Sequence, residues 1–381
     1  MEVGMKGTRR AYLILVLLIV LATPAFSQIT STGGISGRSN DNSGAVVPGV
    51  DVTITSPAMI GGPRTATTDE SGTYQFKFLP PGVYRVSFGL PGFKTLNIDG
   101  VTVTAGATMT INGPMEVSAI AEEVTVTSAV PQIDLEAAAV GINWGQKKLD
   151  DLPWGRSVVS LAQMVPGIFV TNYDVGGNQM GGSSNIGGRT FGRSGGEVRT
   201  YDGVIFCMNF DDFGSYEEVQ LTAAAKGAEA MTAGILGTYV VKSGGNTFHG
   251  GTQAYWEDGS FQSNNVNQAL RDKGFAPSSN KFTRYNEFNL DLGGPFIHNK
   301  FWFYAAYNHD YTGQYVAGFV DQTTNQPAIY PIILNVETLK LTYQLTDKMK
   351  LEAMEQQNTK HAPYRNGGPF TPLQATQNQL T

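Results

Sequence analysis

The chain has 381 residues, 41% hydrophobic and 15% charged, with a formal charge of −6; that is long and apolar enough for more than one core. Lys and Arg are scattered, with no basic cluster interleaved with aromatics, so nothing draws a phosphate backbone and nucleic acid is excluded as a partner. The single cysteine, Cys207, excludes an internal disulfide framework and a cysteine-rich zinc site, while 46 glycines against the usual ~7% and 10% aromatics favour turns and ring-bearing strands.

At the N-terminus Lys6, Arg9 and Arg10 precede an apolar run over 11–22, followed by Ala25 and Ser27 at the −3 and −1 positions before Gln28. This pattern predicts a secretory signal peptide over residues 1–27. The run is shorter than the ~20 residues of a membrane span, and no later stretch is apolar enough to span as a helix. The mature protein is expected to be exported without a helical anchor. Cys207 reads as a half-buried thiol.

Residues 28–117 show short alternating runs separated by turn signals, as in an all-β sandwich. In 51–55, Val52 and Ile54 share one face; in 73–78, Tyr74, Phe76 and Phe78 do so; in 83–88, Tyr84, Val86 and Phe88 follow. These side chains are the expected core. Pro48-Gly49, Ser71-Gly72, Pro81-Gly82 and Pro91-Gly92 supply the turns, proline presetting φ and glycine accepting positive φ. The segment from Gly44 to Thr95 resembles the carboxypeptidase regulatory-like domain, a transthyretin-like sandwich. The four histidines all lie outside it, so it has no histidine to ligate a catalytic zinc.

In the linker over 118–130, Glu123, Val124, Thr125, Val126 and Thr127 alternate as a strand and Pro131 ends the run. Such a segment can add to the edge of a partner sheet or can serve as a last strand of the sandwich or an ordinary linker. Over 131–249 the chain becomes glycine-dense, with one helix expected near 157–164, where Val158, Leu161 and Ala162 fall at helical spacing and Pro166-Gly167 stops it.

The order of motifs in this unit carries a resemblance: Leu-Pro followed by Arg156, IGGR ending at Arg189, YDGV with Asp202 and Gly203, EEVQL with Glu218, then VVKSGGNTFHGG. It is similar to the plug of TonB-dependent outer-membrane receptors, nearest to the Oar-like receptors with an N-terminal carboxypeptidase regulatory-like domain. The resemblance implies a mixed α/β plug inside a 22-stranded barrel. It makes residues 123–127 the TonB box, gripped by the TonB-ExbB-ExbD complex. Ser243, Gly244, Gly245, Asn246, Phe248, His249 and Gly250 become the crossing from plug to barrel, and the match extends from about 35 to 325.

Beyond residue 250 the sequence alternates as outer-membrane strands do. Over 284–292, Phe288, Leu290 and Leu292 oppose Glu287, Asn289 and Asp291; over 337–345, Leu339, Leu341, Tyr343 and Leu345 oppose Lys340, Thr342 and Gln344. One face suits lipid and the other a watery lumen. Residues 300–311 put aromatics on both faces, as an interfacial girdle does. Twenty-two strands of ~10 residues need well over 200 residues, so 250–381 is expected to hold only the first strands of an incomplete transmembrane β-barrel, the chain being an N-terminal fragment.

Signals for an enzyme are weak. Residues 192–196 match G-x-S-x-G around Ser194, yet no apolar strand precedes and no helix follows. Asp211-Asp212 and Glu217-Glu218 read as solvated loop charge rather than an acid–base pair or calcium site. No catalytic residue, metal or cofactor is expected. The fold class expected is mainly β with a small α/β part, and the resemblance implies outer-membrane transport of a large or scarce extracellular ligand, with the sandwich and TonB box on the periplasmic side. The alternative is a secreted or surface-attached β-sandwich adhesion protein without transport.

Overall fold

The computed structural model describes residues 32–380 apart from 60–61, 119–122, 128–139, 153, 171–185, 187, 192, 195–196, 207–209, 226–231, 265, 275–280, 347–348, 366, 368–370 and 372. Residues 1–27, expected as a signal peptide, lie outside the described residues, as do Cys207, Pro131 and much of the glycine-dense segment.

Alternation in the first unit builds two facing sheets. Their strands are β1 (Gly33–Asp41), β2 (Asp51–Thr55), β3 (Arg64–Thr67), β4 (Thr73–Leu79), β5 (Gly82–Gly89), β6 (Thr95–Val103), β7 (Thr108–Thr110), β8 (Gly113–Met115) and β9 (Glu123–Thr127). One sheet runs β4-β1-β7 with β8 also on β1; the other runs β3-β2-β5-β6-β9. Val52, Ile54, Tyr74, Phe76, Tyr84, Val86 and Phe88 are buried between them, where Tyr74 meets Phe88 edge to face at 5.5 Å. Phe78 departs from the expected alternation. Its φ is +57° and its ring is 71% exposed, while Leu79 takes the buried place. A register shift between β1 and β4 inserts an extra residue there, turning Phe78 outward.

The second unit contains β10 (Val140–Gly145), β11 (Ile168–Val170), β12 (Gly188–Thr190), β13 (Arg193–Ser194), β14 (Glu197–Tyr201), β15 (Val204–Phe206), β16 (Tyr216–Ala224) and β17 (Ile235–Val241), with helices α1 (Gln146–Asp151) and α2 (Val158–Gln163). Ser157 caps α2 by accepting from the Ser160 N–H at 3.2 Å. The main sheet runs β10-β16-β17-β14-β15, with β14 parallel to β17. Every residue of β17 is buried, as a strand covered on both faces requires.

The third unit is an antiparallel meander of β18 (His249–Asp258), β19 (Phe282–Ile297), β20 (Phe301–Asp321), β21 (Gln326–Thr346), β22 (Met349–Arg365) and β23 (Gln377–Leu380), with the short helix α3 (Gln268–Asp272) between β18 and β19. Strands β20 and β21 each run 21 residues, twice the ~10 needed to cross a bilayer. The sequence suggested segments of about ten. Hairpin pairing continues past the hydrocarbon because each strand satisfies its neighbour's backbone groups there too. Among the described residues no helix is long and apolar enough to cross a membrane.

Candidate functional site

The wall formed by the third unit has its polarity inside out. On β19, Glu287, Asn289 and Asp291 are buried at 5%, 1% and 6% exposure, while Phe288, Leu290 and Leu292 stand 41–49% exposed. On β21, Thr338, Lys340 and Thr342 are buried, while Leu339 and Leu345 are exposed. Water as the only solvent would select the opposite arrangement. The exposed face suits hydrocarbon; the polar face is covered by the plug and finds its partners there. At the β19–β20 hairpin end, Phe296 lies 4.6 Å from Phe303 and 5.1 Å from Phe301, and Phe301 lies 5.9 Å from Tyr343, an aromatic belt on the outer face. Trp302 and Tyr304 turn inward and are fully buried.

Three ionic contacts join plug to wall. The Arg156 guanidinium, just before α2, pairs in two-pronged fashion with Glu287, one contact at 2.8 Å, and lies 3.9 Å over the Tyr255 ring. Asn308 bridges the Glu287 carboxylate at 3.1 Å and that of Asp212 at 3.3 Å, and Asn289 donates to Asp212 at 2.6 Å. Burial pushes the Asp212 carboxyl up to about 6, with the Glu287 charge adding to the shift and hydrogen bonds opposing it. Lys242 reaches Asp291 at 3.2 Å. Lys340 reaches Asp202 at 2.9 Å and donates to the Val241 carbonyl at 3.0 Å.

Asp202 and Gly203 have φ of +48° and +83°, the tight turn that joins β14 to β15. That geometry aims the Asp202 carboxylate back at the Val241 N–H, 3.2 Å away, and at the wall. Glu218, on β16, is buried; its Oε1 accepts from the Ala105 N–H of the sandwich at 2.8 Å and from the Asn143 amide at 2.6 Å. Burial pushes its carboxyl up to about 7, the two hydrogen bonds opposing.

The bend from Ser243 to Gly250 is held by its polar atoms. Asn246 Oδ1 accepts from the Asn299 N–H and from Trp302 Nε1, both at 2.8 Å, and Asn246 Nδ2 donates to Asn299 Oδ1 at 2.6 Å. The His249 ring nitrogens lie 3.1 Å from the carbonyls of Ser243 and Thr247. Gly244 passes so near β20 that an added Cβ would sit 2.2 Å from the Phe303 carbonyl oxygen. Gly245 follows it, Phe248 is exposed beside the aromatic belt, and Gly250 pairs with Leu292 as β18 begins.

The expectation of solvated loop acids is corrected. Asp212 and Glu218 are buried rather than solvated; the sequence shows acidic pairs but not the plug and wall that close over them. Arg189 sits exposed on β12. A second buried plug arginine beside Arg156 is Arg199, paired with Glu197 at 2.7 Å and Asp211 at 3.0 Å, a residue outside the motifs. Glu123, Val124, Thr125, Val126 and Thr127 form the edge strand β9, parallel to β6, the last-strand arrangement that the sequence left open. Ser194 lies in the two-residue strand β13, in a hairpin with β12 and with no strand-to-helix turn. Among the described residues no group of three His, Cys, Asp or Glu is placed to hold a metal ion.

Residues 34–116 match the carboxypeptidase regulatory-like domain family, and residues 240–324 match the outer membrane beta barrel domain family. The TonB-dependent transporter Oar of Myxococcus xanthus is 28% identical over 316 residues, covering 77% of this chain and 28% of that protein. The chain thus spans under a third of the length of this relative. Among solved structures, the outer membrane transporter YddB of Escherichia coli aligns with a TM-score of 0.44 at 14% identity, over 59% of this chain and 33% of that one. The siderophore receptor PirA of Acinetobacter baumannii aligns with 0.41 at 15%, over 60% and 32%. The chain thus carries a carboxypeptidase regulatory-like domain ahead of an outer membrane beta barrel domain, and over most of its length it is similar in sequence to the TonB-dependent transporter Oar.

Proposed function

We infer that the protein takes up a large or scarce ligand across the outer membrane, using energy transmitted by an inner-membrane TonB-ExbB-ExbD complex. The observation that carries this reading is a polar wall face buried against a plug while its apolar face stands exposed. A plug held by three buried or half-buried ion pairs is not opened by ligand contacts alone. Work delivered from outside is required, and Glu123, Val124, Thr125, Val126 and Thr127 form the segment on which it acts. Arg189, Asp202, Gly203 and Glu218 then belong to the plug, and Ser243 to Gly250 to its crossing into the wall.

Deleting residues 123–127 from the receptor in its own cell is expected to abolish growth on the imported nutrient while leaving surface binding of that nutrient intact. Unchanged growth would remove the coupling role. Recovery of the protein in the soluble extracellular pool, rather than the outer-membrane fraction, would remove transport altogether.

A further inference from the structure

Phe78 stands where the sandwich itself gives an aromatic side chain nothing to do. Its φ of +57° lies in the left-handed region that glycine and asparagine enter at little cost and a bulky residue enters under strain. Burial would offset that strain, yet the ring is 71% exposed, and among the described residues it joins no apolar cluster. Phe191 makes the contrast. Its φ is also positive, at +46°, but its ring covers Gly167 so closely that an added Cβ there would sit 2.4 Å from it.

The surroundings of Phe78 indicate what covers it. Lys77 precedes it, exposed, and the exposed Arg64 of β3 donates to the Lys77 carbonyl at 3.1 Å. Among the described residues neither cation is paired with a carboxylate. After Leu79 the chain turns the β4–β5 corner through Pro80 and Pro81, and Val83 beyond it is exposed as well. Pro57, Pro80 and Pro81 face Gly245, Asn246 and Thr247 across a cleft of about 380 Å³. Those bend residues run into Phe248, which lies 6.4 Å from Phe303 in the aromatic belt of the wall. The corner that carries Phe78 is therefore beside the level at which the wall leaves the hydrocarbon. Phe78 and Val83 together offer far less than the ~800 Å² that each side of a stable protein interface buries. A ring flanked by unpaired cations suits the boundary between acyl chains and phosphate headgroups instead.

We propose that Phe78 is a lipid anchor: its ring enters the periplasmic leaflet of the outer membrane beside the aromatic belt, with Lys77 and Arg64 on the phospholipid phosphates. One ring holds a free protein to a bilayer only weakly. The sandwich is already tethered, by the chain and by the Ala105 contact with Glu218 of the plug, so insertion is in effect intramolecular. The anchor fixes the sandwich against the bilayer. It requires the wall to lie in the membrane, but neither uptake nor coupling through 123–127.

The test places the photoreactive residue p-benzoylphenylalanine at position 78 of the receptor in its own cell, with position 46 as the control. Val46 is also exposed but sits beside Gly72, at the opposite end of β4. Only receptor recovered in the outer-membrane fraction is analysed, so the result speaks to Phe78 and not to insertion of the wall. A phospholipid adduct is expected at 78, at least about fivefold above that at 46, read as added mass on the peptide that carries the residue. A lipid yield no higher than at 46, or an adduct to another polypeptide or to the receptor's own plug, would overturn the proposal. Combining Lys77→Glu with Arg64→Glu is expected to lower the lipid adduct at 78 at least about threefold. An unchanged yield would overturn the part assigned to the headgroups.

Discussion

Arg156 and Glu287 show what a single pair contributes when both partners are withdrawn from water. Their side chains are 8% and 5% exposed, so removing either leaves an uncompensated charge. Arg156→Ala is expected to cost about 3–5 kcal/mol in chemical unfolding, and pairing Arg156→Met with Glu287→Gln to recover most of the loss. Glu218 poses the complementary case, a buried carboxylate served by two N–H donors. Burial, with the charge of adjacent Glu217 a smaller contributor, raises its pKa from 4.5 to about 7. The folded state therefore binds the proton more tightly than the unfolded chain. The stability it contributes is complete below about 4.5 and is lost as the pH rises through about 7, a span on the order of 3 kcal/mol. Glu218→Gln keeps the Oε1 acceptor and is expected to flatten that dependence in thermal unfolding measured across the window. At this scale the sequence was least informative. Arg156 and Glu218 stand inside recognisable motifs, whereas Arg199 lies outside them and Asp212 reads as a solvated acid until its burial is seen.

The bend from Ser243 to Gly250 is the element on which the two larger units turn. Asn246 supplies one acceptor to two N–H groups, one of them on the fully buried Trp302. Asn246→Ala strands the Trp302 indole N–H while the exposed Asn299 N–H can turn to water, and a loss of about 1–3 kcal/mol is expected in unfolding of the membrane-inserted protein. Gly244→Ala is expected to be at least as damaging, because the Phe303 carbonyl it would strike belongs to the wall's own hydrogen-bonded ladder. Three turn-formers in a row announced this bend in the sequence. That Asn246 would bind the first short hairpin turn was not legible, since Asn299 lies 53 positions away. Strand β9 teaches the same lesson. Its alternation made it a strand, but a coupling segment and a last sandwich strand have the same local pattern, and only the pairing with β6 shows where it rests.

At the scale of the whole molecule the ordering force is the choice of solvent for each face of the wall. Leu290→Arg places a charge on the exposed face and is expected to cost about 2–4 kcal/mol if the site lies near mid-bilayer, read from folding titrations in lipid vesicles. The neighbouring inward residue, Asn289, should respond differently: Asn289→Leu leaves the lipid face untouched but removes the donor to Asp212. Its effect should appear in release of the plug rather than in insertion of the wall.

The sequence by itself determined the sandwich pattern, the motif order of the plug and the two-faced wall strands, because hydrophobic period and turn chemistry are local properties of the chain. Only the tertiary structure decided which face of each strand is covered and which charges meet. Arg156 and Glu287 are 131 positions apart, and Ala105 and Glu218 are 113 apart. Local pattern carries no information across such separations, and burial in a shared interior, which makes these contacts strong, comes into being only when the three units pack.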